Sequence, residues 1–198
     1  MYIRNALILI ATLLLTTCGS SQVVIEGNFP TPNIQKLPLR VAVYYDTALR
    51  DFSYTEYNEI GDEEYNVDSG LSHIRLFNAV LPAMFTDVVV VDSVEEAATL
   101  NVDAVFRPAI EEFQLALPDK TMLDAYEVWI KYNMRLLTAD GGYIADWVVT
   151  SYGKTQKEGF QSAESSINEA TIIALRDLAS NFSLRFSEVP EVRDWMSQ

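Results

Sequence analysis

The chain has 198 residues, with 14 lysines and arginines against 28 aspartates and glutamates, for a formal charge of −14 at pH 7. Such a balance disfavours nucleic acid and anionic lipid headgroups as direct partners. With Cys18 as the single cysteine and His73 as the single histidine, neither an intrachain disulfide nor a His/Cys zinc cage is available, and stability must come from packing.

The N-terminus reads MYIRNALILIATLLL, one cation at Arg4 followed by an apolar run from Ala6 to Leu15. A run this short falls below the ~18 to 20 residues needed to span a bilayer as a helix, so residues 1–17 read as a cleaved signal peptide. The ending Leu15-Thr16-Thr17-Cys18 resembles the lipobox of bacterial lipoproteins, in which the cysteine is acylated and becomes residue one. That resemblance assigns lipidation, with palmitate among the acyl chains, to Cys18 and removes its thiol from any Cys–His dyad. Gly19 rather than Asp follows, which by the sorting rule of enteric bacteria implies the outer membrane, periplasmic face.

Residues 18–38 carry Pro30, Pro32 and Pro38 and no sustained period, and are expected to be a lipidated tether. The Val23-Val24-Ile25 patch within them leaves open an added edge strand or a partner contact. Residues 39–198 are expected to form one periplasmic domain. Leu39 to Tyr45 is rich in β-branched and aromatic residues and reads as a strand.

The long segment from Asp46 to Gly70 interleaves acids with Phe52, Tyr54, Tyr57 and Tyr65. Tyrosine offers an apolar face and a hydroxyl, which suits protein partners and sugars alike, so Tyr54, Tyr57, Asp62, Glu63, Glu64 and Tyr65 are the candidate interaction surface. The bland alternative is a solvated flank with inward-packed tyrosines. Asp62-Glu63-Glu64 with Asp68 lacks the alternating ligands and mid-loop glycine of an EF-hand, so no metal is expected.

Leu71, Ile74, Phe77, Val80, Leu81, Met84 and Phe85 recur at three- and four-residue steps and predict a helix, with Pro82 kinking or ending it. His73 falls at its start, without a nucleophile-elbow motif, and is expected to be a surface or capping histidine. Asp87 to Asp92, DVVVVD, reads as a strand buried on both faces. From Ala104 to Leu115 the apolar parity changes near Glu111-Glu112, the signature of a β-bulge.

Tyr126 to Thr138 alternates cleanly, and Asp140-Gly141 marks a hairpin leading to Tyr143–Lys154. Trp129 lies on the more polar parity of its strand, consistent with exposure at an interface or with cover by a neighbouring element. Ser162 to Phe186 predicts a long amphipathic helix. No glycine-rich phosphate loop is present and no cofactor is expected. Glu111, Glu112 and Asp146 are carboxylates a hydrolase could use, but their presence among 28 acids discriminates nothing.

The expected fold is α+β, a two-layer domain with a mostly antiparallel sheet of four to five strands and two main helices packed on one face. The lipobox, LRVAVYY, helix, DVVVVD, three antiparallel strands and the ALRDLASNF helix together resemble a group of small periplasmic lipoproteins. This group comprises the curli secretion channel's periplasmic domain, the lipoprotein activator of penicillin-binding proteins and the Pel polysaccharide secretion lipoprotein. The resemblance implies a non-enzymatic accessory or assembly factor of an envelope secretion or transport machine. It would be bound to the outer membrane by its lipid and to envelope protein partners, and exposed sheet edges would permit a homo-oligomer. A module binding cell-wall or exported glycan is the alternative, and a carboxylate-dependent hydrolase the third.

Overall fold

The computed structural model describes residues 19–121, 123–156, 159 and 161–197. The leader and Cys18 lie outside the described residues. In chain order the elements are β1 (Gly19–Val24), β2 (Leu37–Tyr44), α1 (Thr47–Arg50), β3 (Ser53–Tyr57), β4 (Glu63–Asp68), α2 (Gly70–Met84) and β5 (Phe85–Val91). There follow α3 (Val94–Ala97), β6 (Ala104–Ala116), α4 (Pro118–Thr121), β7 (Ala125–Leu137), β8 (Tyr143–Gln156), α5 (Ala163–Arg185), a 3₁₀ turn (Phe186–Glu188) and α6 (Pro190–Met196).

The architecture is α+β, as expected. A five-stranded sheet runs β5-β2-β6-β7-β8, and a smaller sheet runs β1-β4-β3. β6, β7 and β8 are long and antiparallel, whereas β2 pairs parallel with both β5 and β6. β5 is therefore an edge strand, and Val90 on it is exposed. This corrects in part the expectation that DVVVVD is buried on both faces: Val88 packs against the main core and Val89 and Val91 against a small cluster on the opposite face, but at the edge Val90 stays exposed.

α2 and α5 pack on one face of the large sheet, with Phe77, Phe106, Tyr132 and Phe182 meeting at the centre of the core. The apolar stripe of α2 is as expected at Ile74, Phe77, Val80, Leu81, Met84 and Phe85, but it also takes in Ser72, His73 and Leu76, while Leu71 faces solvent. Pro82 sits in the last turn of α2, and the chain passes directly into β5 at Phe85. Ser162 caps α5, its side chain accepting from the Ser165 amide, so the earlier of the two possible helix starts is used.

At Gly153 the backbone of α5 lies directly against the sheet. A Cβ there would lie 2.0 Å from the Ala170 carbonyl oxygen and 2.4 Å from the Ala174 nitrogen. The bulge in β6 falls at the expected place, as a register shift between Ile110 and Glu112. It lets Phe106 before it and Phe113 and Leu115 after it all face the same core despite their opposite parity.

Residues 19–38, expected to be a tether, contribute to the folded body. β1 pairs parallel with β4 over Gly19↔Glu63 to Val24↔Asp68, and Val23 and Ile25 are buried. Buried Ser72 donates its hydroxyl to the Ile25 carbonyl, and the Glu26 amide donates to Asn168 Oδ1 on α5. The edge strand that the Val23-Val24-Ile25 patch left open is thus present, because Val23 and Ile25 have a core to enter while Val24 faces solvent.

Candidate interaction surface

The acidic, tyrosine-bearing segment folds as α1 and the β3–β4 hairpin, and its alternation splits the candidate residues between two faces. Tyr65 points into the core beside Val67 and donates its hydroxyl to Glu63 Oε2. Burial, followed by the neighbouring Glu63, pushes the Tyr65 hydroxyl well above its ordinary range. Tyr54 is half-buried, its ring 5.0 Å from that of Phe113, and its hydroxyl, donated to Glu56, is pushed up to about 12, chiefly by burial. Only Tyr57 of the three is exposed, at 48%.

Asp62 is held in the hairpin turn, accepting from Asn58 Nδ2 at 2.6 Å, and Glu64 accepts from Asn66 Nδ2 at 2.6 Å. Tyr54, Tyr57 and Tyr65 therefore form no continuous aromatic surface. Nor do Asp62, Glu63, Glu64 and Asp68 converge: among the described residues no cluster of three metal-ligating side chains occurs.

A continuous aromatic surface exists elsewhere, on the face of the large sheet opposite α2 and α5. Trp129 on β7 and Tyr152 on β8 are register partners, with ring centroids 4.8 Å apart and planes at 41°. Trp129 remains 41% exposed and Tyr152 37%. They lie beside a shallow groove of about 290 Å³ lined by Glu112, Gln114, Trp129, Lys131 and Thr150. Large aromatic side chains at a sheet surface offer apolar area with little rotamer freedom to lose on contact.

Ion pairs flank the stack along the same face. Next toward the start of β7, Glu127 accepts from the Tyr152 hydroxyl at 2.6 Å and from Lys154 Nζ at 3.1 Å. These bonds, the Tyr152 one foremost, hold the Glu127 carboxyl below its usual range, while burial and Glu127 raise the Tyr152 hydroxyl to about 12. In the other direction Lys131 meets Glu111 at 2.6 Å, and Arg135 grips Asp146 at 2.7 and 3.0 Å. Arg107 reaches Asp46 at 3.0 Å. Each of these cations has an acid partner, and Glu112, which meets the neutral Gln114, leaves the patch only slightly negative.

The carboxylates a hydrolase could use are engaged in this lattice: Glu111 with Lys131, Glu112 with Gln114, and Asp146 with Arg135 and Asn133. His73 is fully buried, correcting the expectation of a surface or capping residue. Its Nε2 lies 3.0 Å from Ser69 Oγ and its Nδ1 2.6 Å from the Tyr132 hydroxyl. Burial lowers its pKa to about 3, so it is neutral at pH 7. A Ser-His-Tyr chain sealed inside the core satisfies buried polar groups and has no surface at which to meet a substrate.

No family model matches the sequence, and no curated protein matches it significantly. Among solved structures, a protein of family DUF330 from Xanthomonas campestris superposes with a TM-score of 0.54 at 11% identity, covering 90% of this chain and 99% of that one. The two share a fold. Looser superpositions are found with a minor lipoprotein from Acinetobacter baumannii (TM-score 0.42, 12% identity, 78% and 94% covered) and with the PelC dodecamer from Paraburkholderia phytofirmans (0.38, 20%, 75% and 93%).

Sequence reasoning singled out Trp129 by its parity but missed Tyr152. The signal was present: a two-residue turn at Asp140-Gly141 places Tyr152 opposite Trp129. The actual connection is longer, with Leu137 opposite Tyr143 and a register shift beside it, yet beyond that irregularity the pairing is the one the turn implies.

Proposed function

We propose that the protein is a lipid-anchored envelope protein of the outer membrane, facing the periplasm. In this reading it serves a secretion or transport machine as a non-catalytic accessory or assembly factor. The lipobox-like Leu15-Thr16-Thr17-Cys18 supports the anchor. The observation that carries the mode of action is the exposed Trp129–Tyr152 stack flanked by ion pairs on the sheet face. A partner protein docking there would cover aromatic area flanked by ion pairs already formed within this chain, an apolar centre with a polar rim as at protein interfaces.

A photo-crosslinking amino acid at position 150, beside the stack, used in intact cells, tests this. Recovery of a discrete protein adduct from position 150, absent when the probe is placed at Leu184 on α5, supports the reading. Equal or no protein adducts at the two positions would remove the open face as the docking surface. Replacing Cys18 with Ser should release the protein from the membrane fraction; retention there would refute the anchor.

A second reading is a glycan-binding module, favoured by the same groove. Its aromatic wall is rimmed by Gln114, Glu112, Lys131 and Thr150, groups that pair with sugar hydroxyls. Retention of the protein on cell-wall or exported polysaccharide, lost in Trp129→Ala, would favour this alternative.

A further inference from the structure

We infer that the β3–β4 turn, with Ile60 at its tip, and the neighbouring α4 with Leu123 close by form a membrane-facing end that rests on a zwitterionic lipid surface. The inference builds on acylation of Cys18. It begins from the missing spacer: Gly19 already belongs to β1, so one peptide unit, about 3.8 Å between Cα atoms, separates the acylated residue from the folded body.

That first strand is held along its length. Gly19 stands opposite Glu63 in parallel register, Ser21 donates to Glu164 on α5 at 2.8 Å, and Val23 and Ile25 are buried. Lifting the body from the bilayer would mean stripping β1 from β4. Whatever surrounds Gly19 is therefore presented to the lipid.

What surrounds it is the root of the β3–β4 turn, since β4 starts at Glu63. Asn58 organises that turn, its Oδ1 accepting from the amides of Asp62 and Glu63, and Gly61 takes a φ of 75°. The Glu59 amide donates to Asp119 Oδ2, which fixes the turn against α4. Ile60 is thereby held outward and is 79% exposed, and Leu123 in the adjoining connection is 47% exposed. A constrained turn projecting an isoleucine has no evident use in water but suits shallow entry among headgroups.

Charge selects the kind of lipid. Glu59, Asp62, Glu63, Asp119 and Asp124 all belong to these two connections or their edges, and Lys120, the one cation among them, is engaged by Glu56 at 2.5 Å. Anionic headgroups would repel this end, whereas zwitterionic ones would not.

The test uses the full-length acylated protein, its lipid verified by mass, in phosphatidylcholine vesicles. Acylation consumes the Cys18 thiol, so a cysteine introduced by Ile60→Cys, Leu123→Cys or Tyr143→Cys is the single site for a spin label. Labels at 60 and 123 are expected to collide at least threefold more with oxygen, relative to a water-soluble nickel chelate, than the label at 143. Adding phosphatidylglycerol to about one third should reduce that difference.

Water-like accessibility at position 60 in verified acylated protein would overturn the inference and leave the anchor intact. Equal or deeper entry on the anionic vesicles would overturn the assignment to zwitterionic lipid. An unmodified Cys18 would overturn anchor and inference together.

Discussion

Trp129 and Tyr152 face each other across β7 and β8 with ring centroids 4.8 Å apart, on the side of the sheet opposite both long helices. Their stack is only partly covered, so truncation should separate binding from stability. Trp129→Ala is expected to abolish the protein adduct formed from the neighbouring face, probed at Thr150, while costing about 1 kcal/mol of stability, the usual worth of an aromatic pair. Trp129→Phe should retain most of the capture. Thermal melts beside adduct recovery provide the check, and loss of capture only in proportion to unfolding would contradict the assignment.

Ser72 ties the N-terminal segment to the core by donating its hydroxyl to the Ile25 carbonyl. Removing the donor leaves a buried acceptor unpaired, a loss of about 1–3 kcal/mol. In Ser72→Ala, amide exchange across β1 and residues 25–27 should accelerate more than exchange in the centre of α5. Uniform acceleration throughout the domain would show that β1 does not open locally.

His73 makes stability depend on pH in a window of its own. Its folded pKa is lowered by burial to about 3, whereas in the unfolded chain it titrates near the ordinary 6.5. Below pH 6.5 the unfolded chain binds a proton that the folded chain does not, so stability declines as pH falls, approaching about 1.4 kcal/mol per pH unit. Glu56 and Glu127 also have lowered pKa values, and their contributions fade only at lower pH, as carboxylates protonate. Urea unfolding between pH 6.5 and 5 should therefore show a slope that flattens in His73→Gln; an unchanged slope would implicate another group.

Gly153 admits α5 to the sheet, and backbone atoms occupy the space a side chain would need. Gly153→Ala forces the helix outward and is expected to destabilise by about 3 kcal/mol. For a domain of this size that corresponds to a fall in Tm of about 10 °C. A change of under about 2 °C by calorimetry would mean that the helix shifts freely.

Much of the large sheet could be read from residue pattern. Alternation from Tyr126 to Leu136 is strict because one face meets the core and the other does not, and the parity change beside Glu111 is the bulge itself. The stripe on α5 was equally plain, as it runs unbroken from Ile167 to Phe182. The smaller sheet was hidden because β1 and β4 are short and pair residues more than forty positions apart, which no local period records. Strand order was hidden for a related reason: β5 reads like an interior strand, and only the parallel pairing to β2 puts it at an edge.

The candidate surface was misplaced because composition outweighed periodicity between Asp46 and Gly70. Tyr54 and Tyr65 look outward when counted among acids, yet their positions along β3 and β4 send them toward Phe113 and Val67. Trp129 was correctly marked by parity, and its significance emerged only when Tyr152 was placed opposite. A buried His73 could not be foreseen, since beside the nearby Ser69 at the start of its own helix its other partner, Tyr132, lies on β7, 59 residues away.

The parallel pairing of β1 with β4 also has a mechanical meaning. With the proposed anchor on Cys18, tension would enter at Gly19 and run along the strand, so the six register pairs from Gly19↔Glu63 to Val24↔Asp68 would be loaded together in shear rather than peeled in succession. A body fastened in that proposed way would resist being torn from its mooring, even though each individual bond is weak.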